Sequence, residues 1–233
     1  GGTTVSSTQL VNSPLIKDGI VTTFVPLVSL VVAYNAVVGE RESGSLKLLL
    51  ALPHSRSDVV LGKVVGRGAA IAVAILAGFA LPVVVFVVHP SFAFEAVGYV
   101  QYVLLTALLG VAFVAVAVGV SAATASNRIA IAAAITIYLV FVVLFGAIHG
   151  SIGFVSMLAG WPDWMPLTVE QTQRAVQLLS PTGSFKIIVN RALSGSLFGG
   201  EQARLQLSAF TMLVAWVVVP PLLGLIRFEA SDL

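Results

Sequence analysis

Residues 102–122 read YVLLTALLGVAFVAVAVGVSA and contain no charged side chain. A helix of roughly 20 apolar residues crosses a bilayer core of about 30 Å, so this run is long enough to span a membrane. Backbone groups in hydrocarbon must satisfy their own hydrogen bonds, and a run of this length does so as a helix. A β-barrel strand would instead alternate polar and apolar residues over about 10 positions, and the run shows no such alternation.

Four further uncharged windows have the same character, and they are Gly19–Val38, Ala69–Val88, Ile129–Ile148 and Leu207–Ile226. With Tyr102–Ala122 they predict five spans. The predicted fold class is therefore all-α, a polytopic membrane helix bundle that occupies residues 1–233 as a single transmembrane domain. Two glycine pairs, Gly62 with Gly66 and Gly146 with Gly150, have the spacing that allows helices to approach closely.

The overall composition supports a membrane protein. Of the 233 residues, 58% are hydrophobic and 9% are charged, whereas soluble domains are about 25% charged. A chain so poor in charge cannot cover a soluble surface, which argues against a soluble enzyme, a disordered segment or a nucleic-acid binder. The formal net charge of +2 provides no basic patch for phosphates. The chain has no cysteine, so disulfides, thiolate metal sites and thiol nucleophiles are excluded.

The distribution of cations predicts the orientation in the cell membrane. Residues 39–67 hold five cations, which are Arg41, Lys47, Arg56, Lys63 and Arg67, whereas residues 89–101 hold none. The positive-inside rule then places 39–67, 123–128 and the C-terminus in the cytoplasm. The N-terminus would lie outside, and the chain begins with Gly rather than Met. We therefore expect an upstream first span and six spans in the complete protein; a true five-span protein is the alternative.

Two helices are predicted to begin on the cytoplasmic side, a short one and a second one that runs into the next span. Ser45 is a candidate N-cap for a helix over Leu46–Leu52 that Pro53 ends, and Ser57 with Asp58 is a candidate cap for a second helix. The first helix is too short to bury its own leucines. It must lie on the membrane, pack under its own bundle or dock into a partner's groove. Residues 40–42, taken alone, also fit a solvated charge cluster at the end of a span.

The outer segment 149–206 is predicted to be a small helical cap. Thr168 and Gln171 have the spacing of a capping box for a helix that ends at Leu179. Residues 180–183 have the composition of a turn, and a second helix is predicted over Ser184–Leu193.

Catalytic and metal-binding patterns are missing from the sequence. The five windows contain no Asp, Glu, Lys, Arg or His, which argues against a proton-coupled transporter. His54, His89 and His149 do not have the spacing of a metal site, and the roles of His89 and His149 stay open. Gly62-Lys63 lacks the remainder of a phosphate-binding loop, so the chain is not expected to hydrolyse ATP.

A resemblance to a known family rests on residues 39–53, which read GERESGSLKLLLALP, followed by Ser55-Arg56 and Gly62-Lys63. This stretch resembles the segment after the second span in ABC transporter permeases of the type-2 class. The turn at Ser180-Pro181, the last seven residues and the order of spans are also similar to that family. Within it, the single-chain permeases that include the nitrous-oxide-reductase maturation permease are the most similar subgroup.

The resemblance implies partners and a site. Two permease subunits, identical or different, would form the pathway, and two separate ATPase subunits would bind beneath them and hold the ATP and Mg²⁺. This chain itself would carry no cofactor, no metal and no catalytic residue. Residues implied to couple to the ATPase are Glu40, Arg41, Glu42, Gly44, Leu46, Leu49, Leu50, Pro53 and Arg56.

The substrate and the direction of transport are not indicated. The alternative function is a membrane anchor or assembly factor that moves no substrate and binds an external protein through 149–206.

Overall fold

The computed structural model describes residues 5–51, 53, 55–89, 92–193, 197–200 and 202–230. Five of its helical segments are long and apolar enough to cross a membrane, and they are Leu15–Glu42, Arg56–Val88, Ala96–Ala123, Asn127–Ala159 and Ala203–Glu229. The chain is an all-α polytopic membrane bundle, as the sequence predicts. The strands described are β1 (Val5–Ser6) and β2 (Phe92–Ala93), which pair in parallel near one end of the bundle.

The first span is divided rather than continuous. After the short helix α1 (Ser7–Val11), the chain forms a π-helical segment over Leu15–Val21, then α2 (Thr22–Ala33), a turn, and α3 (Val38–Glu42). The short helix α4 (Ser45–Leu50) precedes α5 (Arg56–Val88), the second span. The uncharged window Gly19–Val38 therefore contains three helical segments, a detail that its hydropathy does not encode.

The third span, α6 (Ala96–Ala123), is the core of the bundle. It packs against α2, α5 and two later helices, α10 (Pro181–Ala192) and α11 (Ala203–Glu229). Tyr102, Leu109 and Phe113 on α6 are fully buried. The other spans surround α6 and expose large apolar side chains such as Val73 and Leu81 of α5, as expected for a surface that faces lipid.

The helices α6 and α11 approach each other closely at two glycines. A Cβ atom on Gly119 would overlap the backbone of Pro220 and Pro221, and one on Gly224 would overlap the backbone of Gly119. The glycine pairs singled out by their spacing behave differently. A Cβ on Gly62, Gly66, Gly146 or Gly150 would meet no atom of the described residues within 4 Å, so the close approach that their spacing allows is not made within the described part of the chain.

The fourth span is longer than its uncharged window Ile129–Ile148. It consists of α7 (Asn127–Tyr138), a second π-helical segment over Leu139–Leu144, and α8 (Phe145–Ala159). The 33 residues from Asn127 to Ala159 correspond to a length of about 50 Å. The predicted outer segment therefore begins inside α8.

The remaining helices confirm one predicted cap and correct another boundary. Thr168 caps α9 (Val169–Leu179), and the predicted capping box with Gln171 is present. The next helix, α10, begins at Pro181 rather than Ser184, because Ser180 accepts from the Gly183 N–H and proline suits the first helical position. The predicted turn at 180–183 is thus the first turn of α10.

The helix α10 is buried against α6 and α11, with the Phe185 ring beside Tyr102. Two contacts tie it to the π-helical segments. Lys186 forms an ion pair with Asp18 at 2.9 Å, and the Thr182 hydroxyl donates to the Phe141 carbonyl at 2.9 Å. Half of the predicted outer cap is therefore part of the bundle.

Candidate functional site

The candidate site lies where α3, α4 and the start of α5 meet the ends of α6 and α11. We call this end of the bundle the basic end. The described residues of 39–67 lie there with 124–128 and 227–229, since Arg41 contacts Thr124, Glu42 contacts Asn127 and Arg56 contacts Phe228. The structure thus brings together the three segments that the cation distribution assigns to one side of the membrane.

Gly44 makes the turn between α3 and α4 possible. Its φ of +76° lies in the left-handed region, which favours glycine, and its N–H donates to the Arg41 carbonyl at 3.2 Å. Ser45 is the first residue of α4 rather than its N-cap, and its hydroxyl lies 2.9 Å from that of Ser43. The described part of α4 ends at Leu50, and residues 52 and 54 lie outside the described part of the chain, so the predicted end at Leu52 is not tested.

The start of α5 differs from the predicted cap. Ser55 is the N-cap, and it forms a complete capping box with Asp58. Its N–H donates to Asp58 Oδ2 at 2.8 Å, and its Oγ accepts from the Asp58 N–H at 3.1 Å. The predicted cap, Ser57, is inside the helix. Pro53 lies in the link before this cap, and Arg56 is the first residue of α5.

The corner between α2 and α3 depends on Ser121 of α6. Its Oγ accepts hydrogen bonds from the N–H groups of Val37 and Val38, at 3.0 and 3.1 Å. All three residues are buried, so water cannot replace these bonds. Ser121 therefore fixes the position of the chain as it enters the candidate site, and sequence reasoning did not single it out.

We expect Ser121→Ala to destabilise the protein, because it leaves two buried N–H donors unpaired at about 1–3 kcal/mol each. The unfolding temperature in detergent would fall by about 2–4 °C per kcal/mol for a chain of this size. Ser208→Ala is the matched control, since Ser208 is exposed and its hydroxyl donates to the Arg204 carbonyl within α11. Equal unfolding temperatures for the two variants would contradict this role of Ser121.

The two glutamates of α3 have different partners. Glu40 forms an ion pair with Lys63 of α5. Glu42 Oε1 accepts from the Asn127 N–H at 2.6 Å, at the N-terminus of α7, where the helix dipole favours a negative charge. The stretch 40–42 is therefore a joint between three helices rather than a solvated charge cluster.

The two arginines each bind the C-terminal end of a helix. Arg41 Nη1 donates to the carbonyl of Thr124, the C-cap of α6, at 3.0 Å. Arg56 Nη1 donates to the last carbonyls of α11, those of Phe228 and Glu229. Cations at these positions satisfy free carbonyls and oppose the negative end of the helix dipole.

Both guanidinium groups also lie over the ring of Phe228. The distances from Arg41 Cζ and Arg56 Cζ to the ring centroid are 5.1 and 5.0 Å, within the range of cation–π contacts. Phe228 is completely buried. No sequence pattern identifies it as part of the site, because an aromatic residue at the end of a span has many ordinary roles.

The leucines of α4 do not form one exposed face. Leu46 is 1% exposed and belongs to the chain's own core. Leu49 is half-buried and lines a groove between α4 and α5 with a volume of about 280 Å³, together with Asp58, Val59, Gly62 and Lys63. The side chain of Leu50 lies outside the described part of the chain. The sequence left three positions open for this helix: on the membrane, under its own bundle or in a partner's groove. Leu46 packs under its own bundle.

The opposite end of the bundle contains further polar contacts. His149 Nε2 lies 2.9 Å from Gln177 Nε2, across α8 and α9. His89 follows α5, and its ring lies against that of Phe92. Among the described residues, no group of three or more His, Asp and Glu side chains could hold a metal ion.

Comparison with known proteins identifies the family. The family model described as "ABC-2 family transporter protein" matches residues 3–233. The probable ABC transporter permease protein NosY of Stutzerimonas stutzeri is 31% identical over 222 residues, which cover 89% of this chain and 76% of that protein. The probable ABC transporter permease protein NosY of Pseudomonas aeruginosa is 31% identical over 182 residues, which cover 77% of this chain and 63% of that protein. The chain belongs to the ABC-2 family of transporter proteins and is a multi-pass ABC transporter permease.

Proposed function

We propose that this permease moves a substrate across the cell membrane by using ATP that a separate ATPase subunit hydrolyses. The ATP and Mg²⁺ would be bound by that ATPase, and this chain would contribute no catalytic group. The observation that carries the proposal is the groove between α4 and α5, which lies at the basic end beside the joint formed by Glu40, Arg41 and Arg56. A permease without a phosphate-binding loop requires such a contact surface for its ATPase.

In this proposal the ATPase binds along α4 and the first turns of α5. Leu49 and the uncovered Gly62 provide the apolar contact, and Asp58 and Lys63 provide charges at its edge. Because Leu46 anchors α4 in the core, α4 moves together with the bundle when the ATPase subunits close. Residues 39–67 and the C-terminus would then lie in the cytoplasm, in agreement with the positive-inside rule.

A second permease copy would complete the pathway. An apolar groove of about 400 Å³ lies between α2 and α7, with Leu27, Val31, Tyr34, Ile135 and Tyr138 among its lining residues. Only 6% of the apolar window in Asn127–Ala159 is buried within the chain, so this span has a large surface available for a partner. The lining is almost entirely apolar, which suits an apolar or amphiphilic substrate at the contact between two copies.

We expect Gly62→Trp to prevent ATPase binding without unfolding the permease. Gly62 is exposed and its Cβ position is empty, so an indole would fill the groove without disturbing the core. Co-purification of the ATPase with tagged permease would fall by about tenfold or more, which corresponds to about 1.4 kcal/mol.

Gly78→Trp is the matched control for this experiment. Gly78 is equally exposed but lies 16 residues further along α5, about 24 Å from Gly62 and inside the apolar window. It should retain the ATPase at the unmodified level. Normal ATPase recovery with Gly62→Trp would show that the groove is not the binding surface.

One observation supports the alternative function, an anchor or assembly factor. The end of α8 and the following loop expose large apolar side chains, among them Phe154, Met157 and Trp164. This surface could bind an external protein without transport of a substrate. A genome in which no ATPase gene of the ABC type accompanies this gene would favour the alternative over the permease function.

A further inference from the structure

Four helix ends converge on one aromatic ring at the basic end. Phe228 belongs to the last turn of α11. Its ring is contacted by two arginines. Arg41 lies in the last turn of α3 and bonds the end of α6, and Arg56 begins α5 and bonds the end of α11. The ring is fully buried, so these two guanidinium groups and their neighbours enclose it completely.

The chemistry of this cluster suits a mechanical connection. Two guanidinium groups repel each other, and a ring whose faces carry partial negative charge allows both to lie close together. The planar guanidinium groups also donate to helix carbonyls while they contact the ring, which a lysine ammonium cannot do in the same geometry. A displacement of α3 or α5 therefore acts on the end of α11 through Phe228.

The helix α11 runs from the basic end, where Phe228 lies, to the opposite end of the bundle, where the helix begins. Through Gly224 and Pro220 it is packed backbone to backbone on Gly119 of α6, so the two helices cannot slide past each other without a clash. It also packs against α10, which is bonded to both π-helical segments through Lys186 and Thr182. A rigid path thus runs from the α4–α5 groove to α10.

We infer that Phe228 is a positioning residue that transmits the movement of α4 and α5 to α11, and through α11 to α10. The inference rests on the proposed function, since it assumes that an ATPase moves α4. Phe228 would contact neither the ATPase nor the substrate, and its removal would separate ATPase binding from the response at the opposite end.

The experiment uses the absence of cysteine in this sequence, which allows one introduced thiol to be labelled alone. Ala175→Cys places that thiol at an exposed position of α9, beside α10. In the complex with the ATPase, the rate of labelling by a membrane-impermeant maleimide is compared between the nucleotide-free state and the state trapped with ATP and vanadate. The readout is the ratio of the two rates.

We expect Phe228→Leu to bring this ratio closer to one by about twofold to thirtyfold, which is the range over which mutations in coupled networks change coupling. ATPase co-purification should stay at the unmodified level. Phe228→Trp, which keeps an aromatic face, should retain much of the ratio. Phe24→Leu is the matched control, because Phe24 lies on the outside of α2 and is 56% exposed. This variant should keep the ratio of the unmodified protein.

A second variant covers the case in which Phe228→Leu does not fold. Arg56→Lys keeps the charge at a half-buried position and removes the planar group that lies on the ring. It should also bring the ratio of the two labelling rates closer to one. If the unmodified complex responds to nucleotide and the folded variants respond equally, the inference is overturned and the proposed function stands. If the unmodified permease binds no ATPase, both are overturned. If it binds the ATPase but the labelling does not respond to nucleotide, only the inference is overturned.

Discussion

Gly119→Ala is expected to prevent the normal packing of α6 against α11. The new methyl group would overlap the carbonyl of Pro220 and the nitrogen of Pro221, and neither can move as a flexible side chain would. Overpacking of a rigid core typically costs about 1–3 kcal/mol, and we expect the upper end or more, because backbone atoms oppose the methyl. The measurement is the yield of monodisperse protein in mild detergent and its unfolding temperature.

The control is the same exchange at Gly150, which has the spacing of a helix-contact glycine but open space around its Cβ position. Alanine there should be neutral or should stabilise the helix by about 0.5–1 kcal/mol. The two variants make identical chemical changes, and only Gly119→Ala is expected to destabilise the protein. A stable Gly119→Ala protein with unchanged oligomeric state would mean that α6 and α11 are further apart than the structure shows.

Leu46→Asp is expected to release α4 from the bundle. Leu46 is 1% exposed, and a carboxylate there would be buried without a partner. The loss of the leucine contacts alone costs about 2–5 kcal/mol. Hydrogen exchange should show loss of protection throughout 45–50, and limited proteolysis should cut the link between α3 and α5. ATPase binding would then be lost because its surface is disordered.

Leu61→Asp provides the comparison, since Leu61 is 53% exposed on α5 close to the same end of the bundle. It should leave the protection of 45–50 unchanged. The sequence by itself suggests that Leu46→Asp removes an exposed docking residue and leaves the permease folded. If the variant kept normal protection of α4 and lost only the ATPase, that simpler interpretation would be correct and the buried position of Leu46 would be wrong.

The fold class and all five spans could be predicted from the sequence because hydrocarbon imposes one strong rule on long uncharged segments. The internal divisions of the spans could not. The turn between α2 and α3 and both π-helical segments lie inside uniformly apolar windows, and they depend on individual contacts such as those of Ser121. Hydropathy averages over such details.

Helix caps were predictable where one candidate had the required spacing. Thr168 with Gln171 was such a case, and the structure confirms it. Before α5 the sequence offers serine at 55 and 57 near Asp58, and the third position after the cap must hold the reciprocal acceptor, which selects Ser55. The prediction of Ser57 failed because it considered the local charge and not that spacing.

The candidate site was predictable as a region but not as a set of roles. The distribution of cations predicted that Glu40, Arg41 and Arg56 lie on one side of the membrane, and in the structure all three lie at the basic end. Their partners, Lys63, Thr124 and Phe228, are far away in sequence and were not predicted. The coupling role stays a prediction for all nine residues, which are Glu40, Arg41, Glu42, Gly44, Leu46, Leu49, Leu50, Pro53 and Arg56.

The second π-helical segment has a consequence for the history of the chain. A π turn contains one residue more than an α turn, so it leaves carbonyls such as that of Phe141 available, and Thr182 donates to this one. Deleting one residue there would restore regular α-helix with little rotation of α8 relative to α7, because the π turn absorbs the extra residue, and the Phe141 carbonyl would then accept within the helix and not from that hydroxyl. The insertion and the threonine should therefore be gained and lost together as lineages diverge.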